Sequence, residues 1–283
     1  MTIIADGKSL AEKIYSEIRK EVEKLSKKPT LAVIITDDNE AGKLSVRNKK
    51  RACENTGINS LTIEMPSNIS ENELLTKINE LNNDPKIDAL LVQLPLPRHI
   101  DSEKILNSIS PEKDADGFHY TNAGKLYTGQ IPNTIACTPK GIIRLLDEYN
   151  INLEGMNALV IGRSNIVGKP VSQLLMQRNA TVTTAHSKTK NIEFYSKNAD
   201  LIVCATGQPK FLKGDMVKEG VVVIDVGISR INGKLCGDVD FETVVPKAFL
   251  ITPVPGGVGP MTIAMLIQNT LELSKQHNSN FKF

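Results

Sequence analysis

Three polar residues far apart in the chain are able to handle protons: Lys49, Gln93 and Asp116. Lys49 lies in a run of cations with Lys43, Arg47, Lys50 and Arg51. Like charges disfavour the charged form of an amine and lower its pKa. A partly buried amine so placed is a candidate acid or base near neutrality; otherwise the run is a solvated basic face. In a helix, Ser45, Lys49 and Cys53 share one face at i, i+4 and i+8. Gln93 follows the apolar run 89–92 and, at the carboxyl end of such a strand, is placed to orient that amine. Asp116 sits between Ala115 and Gly117 in Pro111-Glu112-Lys113-Asp114-Ala115-Asp116-Gly117, which reads as a charged loop.

A second kind of chemistry is written in small residues. Ala158-Leu159-Val160-Ile161-Gly162-Arg163-Ser164-Asn165-Ile166-Val167-Gly168-Lys169-Pro170 is an apolar strand, a polar turn and a helix start. Unpaired N–H groups and the dipole at a helix N-terminus attract phosphate. Gly162, Ser164 and Gly168 leave room for a pyrophosphate and for close helix–strand packing, in a spacing looser than the usual dinucleotide fingerprint. The next strand, 181–185, ends in His186-Ser187-Lys188-Thr189-Lys190 rather than in a carboxylate. With Arg163, these groups suit a ribose 2′-phosphate, so NADP is expected over NAD. Gly207 and Gly227 close two further strands. Thr252-Pro253-Val254-Pro255-Gly256-Gly257-Val258-Gly259-Pro260-Met261-Thr262 combines rigid prolines with permissive glycines at a helix start, a pattern suited to a site wall.

Alternating elements must position these groups. In the first half the pattern predicts a helix over 9–25, a strand over 30–36 and a loop over 37–42. A basic helix ending near Gly57, a strand over 60–64, a helix opened by the capping box of Ser70 and Glu73, and a strand over 89–92 follow. The pattern weakens over 101–138, where the domain boundary is expected. Thr138 and Pro139 then read as N-cap and first residue of a helix. Strands over 157–161, 181–185, 200–204 and 221–226, helices over 166–178 and after Pro260, and a frayed end at 276–283 complete the chain. Strand–helix alternation implies α/β domains with parallel sheets.

With 283 residues there is length for two modest domains. A net charge of +2 carries no electrostatic footprint for nucleic acid or an anionic membrane, and no run approaches a membrane span. Cys53, Cys137, Cys204 and Cys236 lie far apart, which argues against a metal site or disulfide framework and for buried reduced thiols in a cytoplasmic protein.

These motifs, in this order, resemble the bifunctional methylenetetrahydrofolate dehydrogenase/methenyltetrahydrofolate cyclohydrolase family. The likeness runs through Asp6-Gly7-Lys8, Val46-x-x-Lys49-x-x-Ala52, Gln93-Leu94-Pro95-Leu96-Pro97, the 111–117 loop and Cys137-Thr138-Pro139-x-Gly141. It continues through Gly162-Arg163-Ser164-x-x-Val167-Gly168-x-Pro170 and 253–262. The resemblance implies two α/β domains flanking a cleft, the second a Rossmann-type NADP-binding domain, in a homodimer. Residues 1–120 with 265–283 would form the folate-binding catalytic domain, and 121–264 the NADP-binding domain. It implies NADP-dependent oxidation of 5,10-methylenetetrahydrofolate and hydrolysis of the methenyl product to 10-formyltetrahydrofolate. By position, Lys49 matches the catalytic lysine, Gln93 the glutamine that hydrogen-bonds it, and Asp116 the carboxylate that holds the pterin. Gly257, Val258, Gly259, Pro260 and Thr262 match the folate wall. Gly162, Arg163, Ser164, Val167, Gly168, Ser187, Gly207 and Ile228 fall in or beside the segments that match the cofactor site.

One departure stands out. Where the family has S-x-x-Y-x-x-x-K, this chain has Gly42 and Ser45 at the serine and tyrosine positions. Losing an aromatic platform costs about 1–3 kcal/mol on the scale of base–aromatic stacking, so weaker folate binding or a slower cyclohydrolase is expected. The alternatives are an NADP-dependent dehydrogenase of another small substrate, as in shikimate dehydrogenases, and a folate or NADP binder without turnover.

Overall fold

The computed structural model describes residues 1–36 and 40–280, less the side chains of Ala41 and of 278–280. The expected loop falls outside them at 37–39, and the expected frayed end at 281–283. In chain order the first elements are β1 (Ile3–Ile4), α1 (Gly7–Val22), β2 (Thr30–Ile35), α2 (Glu40–Thr56), β3 (Asn59–Glu64), α3 (Glu71–Asn83) and β4 (Ala89–Val92). Next come α4 (Ser102–Leu106), α5 (Tyr120–Tyr127), α6 (Cys137–Glu148), β5 (Asn157–Ile161), α7 (Gly168–Gln177), β6 (Thr181–Ala185) and α8 (Ile192–Asn198). The chain ends with β7 (Leu201–Cys204), β8 (Val221–Asp225), β9 (Ser229–Ile231), β10 (Lys234–Cys236), α9 (Phe241–Val244), β11 (Ala248–Ile251) and α10 (Val258–Asn280).

The chain divides into two compact units. One comprises Met1–Ala11 and Thr138–Thr262, the other Glu12–Cys137 and Ile263–Phe283. The joints thus fall at 137/138 and 262/263, against the sequence-based 120/121 and 264/265, and the first residues join the later segment. Local bonds account for the 137/138 joint and for the placement of the first residues. β1 pairs in parallel with β11, Ile3 against Leu250, while Asn122 of α5 donates to the Asp114 carboxylate at 3.0 Å and so ties α5 to the earlier loop.

The Lys49-bearing unit is built on a three-stranded parallel sheet in the order β3-β2-β4. All of β4 and Leu31 to Ile35 of β2 are buried, without the alternation of a half-exposed strand, as a sheet covered on both faces demands. The capping box forms as expected: Ser70 Oγ accepts from Glu73 N at 3.3 Å, and Ser70 N donates to the Glu73 carboxylate at 3.0 Å. It starts α3 in the register that buries Leu74, Ile78 and Leu81 against Ala32, Ile34, Leu90 and Val92.

The other unit holds a six-stranded sheet, β1-β11-β8-β7-β5-β6, parallel throughout. Its core joins Leu159, Ile161, Ile202, Cys204, Val221 and Val223 with Leu212, Val239 and Val244. Edge strand β6 exposes Thr181, Thr183 and Thr184.

Several elements differ from expectation. The 101–138 stretch contains α4 and α5, and its charged loop buries Lys113 and Asp114. Helix α2 starts at Glu40, inside the expected loop. Thr138 is not an N-cap but the second residue of α6, and its Oγ1 shares a hydrogen bond of 2.9 Å with that of Thr262. Helix α7 begins at Gly168 rather than 166, α10 continues to Asn280, and β1, α8, β9, β10, α9 and β11 are additional. Cys236 is only half-buried, unlike the other three free thiols.

Candidate active site

Helix α2 and the end of β4 bring Ser45, Lys49 and Gln93 together. Lys49 Nζ donates to Gln93 Oε1 at 2.7 Å, and Ser45 Oγ donates to the same oxygen at 3.2 Å. The glutamine is fixed at both ends of its amide, because Nε2 donates to Leu94 O at 2.7 Å. Its backbone N–H extends the sheet by one bond, to Ile34 O at 2.8 Å. The i, i+4 spacing of Ser45 and Lys49 is what lets both reach one acceptor. Lys49 is half-buried while Arg47, Lys50 and Arg51 are exposed, so only one cation of the basic run turns inward.

Asp116 enters the same unit on a loop held almost wholly by buried polar bonds. The Asp114 carboxylate accepts from Gly117 N at 3.0 Å and His119 N at 2.8 Å. Lys113 Nζ donates to Leu81 O and Asp84 O at 3.1 and 2.8 Å. From α10, Asn269 Nδ2 donates to Ala115 O at 2.9 Å and Ile135 O at 3.0 Å. Burial pushes the Asp116 carboxyl up to about 6; the Lys49 ammonium opposes that shift and Asp114 adds to it. Asp116 thus shares an electrostatic environment with Lys49, in the same unit as Ser45 and Gln93. Sequence reasoning missed Asp114, Asn122 and Asn269 as its supports; the one available signal was a polar residue inside the apolar stripe of a final helix.

In the other unit, Gly162 sits at φ +137°, and a Cβ there would lie 2.4 Å from Ala205 O. At Gly168 a Cβ would come within 2.2 Å of Gly162 O, so strand end and helix start meet at backbone distance. Ser164 Oγ accepts from Val167 N at 3.2 Å and Gly168 N at 3.4 Å, meeting donors that a helix start leaves unpaired. Arg163 is exposed and has no carboxylate partner among the described residues. On the neighbouring strand end Ser187, Lys188 and Lys190 are exposed too. After β7, Gly207 takes φ +68° and its N–H donates to Asp238 Oδ2 at 2.8 Å. After β8, Ile228 is two-thirds exposed, its Cδ1 at 3.9 Å from where a Cβ on Gly259 would lie.

Gly257 immediately precedes α10, and residues 258–262 form its first turn. Gly257 N donates to Pro253 O at 2.9 Å, and a Cβ on Gly257 would lie 2.6 Å from the same oxygen. Val258 is buried; Gly259, Pro260 and Thr262 are half-buried. Among the described residues no group of three His, Cys, Asp or Glu side chains is arranged for a metal, and no helix is long and apolar enough to cross a membrane.

A parallel sheet whose strand ends carry a glycine-bridged turn, a capped helix start and unpaired basic groups defines a nicotinamide-dinucleotide-binding protein, and the residues fit NADP. Two family models cover most of the chain. The catalytic-domain model of tetrahydrofolate dehydrogenase/cyclohydrolase matches residues 5–116, and its NAD(P)-binding-domain model matches residues 136–278. The chain belongs to the tetrahydrofolate dehydrogenase/cyclohydrolase family. It is 52% identical over 283 residues to a bifunctional protein FolD of Campylobacter hominis, covering 99% of each chain. The fold matches the crystal structure of a bifunctional FolD methylenetetrahydrofolate dehydrogenase/cyclohydrolase from Campylobacter jejuni, with TM-score 0.96 and 48% identity over 98% of this chain and 99% of that one. It also matches a Trypanosoma brucei methylenetetrahydrofolate dehydrogenase-cyclohydrolase complexed with NADP and an inhibitor, with TM-score 0.92 and 36% identity over 97% and 98%.

Proposed function

We propose that this chain oxidises 5,10-methylenetetrahydrofolate to 5,10-methenyltetrahydrofolate with NADP and hydrolyses that product to 10-formyltetrahydrofolate. The bond from Lys49 Nζ to Gln93 Oε1, in a chain of this family, is the observation that carries the proposal. NADP, when bound, accepts the hydride. The folate nitrogens stabilise the methenyl cation that results, so the first step asks mainly for positioning. Hydrolysis asks for proton management: attacking water gives up both its protons as the formyl C=O forms, one leaving to solvent and the other passing to a ring nitrogen as its bond to carbon breaks. The Lys49 amine, oriented by Gln93, is assigned to hold and pass that proton. Asp116 is assigned to accept hydrogen bonds from the pterin, and Gly257, Val258, Gly259, Pro260 and Thr262 to line the folate. Gly162, Arg163, Ser164, Val167, Gly168, Ser187, Gly207 and Ile228 are assigned to NADP. Ser45, small where the family resemblance calls for tyrosine, weakens the grip on folate or slows hydrolysis.

A homodimer in the cytoplasm completes the proposal. The exposed edge of β6 and the exposed Phe194–Tyr195 ring pair of α8 support a second copy docking there, and four free thiols suit a reducing compartment. Sedimentation of the purified protein tests the dimer. NADPH absorbance with methylenetetrahydrofolate and decay of methenyl absorbance without cofactor test the two activities. Absence of both signals, with the protein folded, would sink the proposal.

A further inference from the structure

Two buried carboxylates that the proposed function leaves unused lie under the strand ends of the dinucleotide unit. Asp225, the last residue of β8, is 3% exposed and Asp238 is fully buried. Asp225 accepts from Gly227 N at 3.0 Å, Asp238 N at 2.9 Å and Val239 N at 3.0 Å. Asp238 Oδ2 accepts from Thr206 N at 2.6 Å and Gly207 N at 2.8 Å, while its Oδ1 has no partner among the described residues. Thr252 Oγ1 accepts from Asp225 N at 2.7 Å. No lysine or arginine pairs with either carboxylate among the described residues. The chain gives up side chains to fit them: a Cβ on Gly237 would lie 1.8 Å from Asp225 Oδ2, and one on Gly227 would lie 2.2 Å from Asp238 Oδ1.

Burying two acids without a cation is costly unless their charge is used or their hydrogen bonds are indispensable. Their placement favours use. The phosphate-type turn follows β5 and the basic loop follows β6, so the adenosine half of a dinucleotide belongs on that side of the sheet. The nicotinamide half then runs the other way, over the ends of β7 and β8. The loops that leave those ends carry Thr206, Gly207 and Gly227, whose N–H groups donate to the two carboxylates. Oxidised nicotinamide carries a positive charge and reduced nicotinamide does not, so buried anions at this end discriminate between them through a medium of low dielectric. Burial, with the neighbouring Asp238, pushes the Asp225 carboxyl up to about 6, and its three N–H donors oppose that shift in favour of the anion.

We propose that Asp225 and Asp238 are positioning residues that hold the β7 and β8 strand-end loops and set the nicotinamide site's preference for the oxidised, cationic ring. The proposal rests on NADP as the cofactor. The test is titration of the folded protein with NADP⁺ and, separately, NADPH, in wild type, Asp238→Asn and Asp225→Asn. Asp238→Asn keeps an acceptor for Thr206 and Gly207 while removing the charge. The expected result is a rise of about fivefold or more in the ratio of the NADP⁺ to the NADPH dissociation constant. An unchanged ratio, whether both constants move together or neither moves, overturns the proposal. Failure of wild type to bind either form overturns the cofactor assignment instead. Should both variants fail to fold, wild type decides: NADP⁺ bound at least as tightly as NADPH supports the proposal, and NADPH bound more tightly overturns it.

Discussion

The turn after β5 and the cluster around Lys49 are built from different materials. At the turn, the groups on offer are backbone N–H donors and a helix start, shaped by glycines whose absent side chains let Gly168 meet Gly162 O and Gly162 meet Ala205 O. Around Lys49 they are side chains, drawn from positions 45, 49, 93 and 116 by a sheet edge, a helix face and a loop. A backbone site depends on what is missing and tolerates variation in the residues between its glycines. A side-chain site depends on particular atoms and fails when one is removed. In the proposed function the dinucleotide turn and its basic neighbours are assigned to the cofactor, and the lysine cluster to the reaction.

Breaking the side-chain region should give the largest effect. Lys49→Met removes the amine but keeps much of the stem, so methenyltetrahydrofolate hydrolysis should fall about 100-fold or more toward the spontaneous rate, the scale of lost acid–base catalysis. The dehydrogenase step, which asks for positioning, should lose much less. Stopped-flow decay of the methenyl absorbance, beside NADPH formation, measures the split; equal losses in both would remove the proton-handling role from Lys49.

Gly168→Ala attacks the backbone region. Its Cβ would need to sit 2.2 Å from Gly162 O, and no flexible side chain is there to yield. Overpacking of this kind costs about 1–3 kcal/mol. Thermal unfolding should move down accordingly and NADP affinity should drop about tenfold, with folate affinity hardly touched. A variant that binds NADP as wild type does would show that strand and helix can separate at no cost, and the contrast between the two regions would weaken.

The pH dependence of the cluster sharpens the comparison, because the turn at 162–170 carries no carboxylate. With its carboxyl raised from the ordinary 3.8 to about 6, Asp116 is an anion above that pH and a neutral acid below it. If the anion receives the pterin N–H groups, folate affinity is flat above about 6 and falls by up to about tenfold per unit below it. Stability runs the other way. A carboxyl with a raised folded pKa contributes stability that is complete below 3.8 and lost as pH rises through about 6. Asp225, also raised to about 6, adds to the same loss. Calorimetric titration and melting curves across pH 4.5–8 should therefore show opposite slopes, about the values these shifts imply, and Asp116→Asn should flatten the first and reduce the second.

Legibility in the sequence followed the same division. β4 and β5 appear at the residues that their apolar runs mark, β6 appears over the expected 181–185, and the Ser70–Glu73 box opens α3. Glycines with no freedom to carry a Cβ marked the turn. Hidden elements were those whose order comes from polar burial. Helix α5 is started by His119 Nδ1, which accepts from Thr121 N at 3.0 Å, a poor cap by type, and it buries Asn122 against Asp114 and Thr134 rather than an apolar stripe. α4 is one short turn capped by Asp101, and β1 has two residues whose strand character comes from β11. Asp225 and Asp238 lie 13 positions apart and meet only through the loop that returns after β8.

The smallest expected change tests whether the side-chain region has been re-formed around its missing ring. Ser45 Oγ shares Gln93 Oε1 with Lys49, so the hydroxyl does orienting work even though no aromatic platform remains. Ser45→Tyr should add stacking for folate, about 1–3 kcal/mol on the nucleobase scale. It also removes a hydrogen bond of about 1 kcal/mol that helps to hold the glutamine amide. The two effects oppose each other, leaving a net gain near the lower end, about 1 kcal/mol, or about a fivefold fall in the folate dissociation constant. Hydrolysis should respond less than binding, because Leu94 O still anchors the far end of the Gln93 amide. If affinity and both rates stay where they are, then serine at this position has taken over all that the tyrosine would do, and the backbone turn is no longer the more tolerant of the two regions.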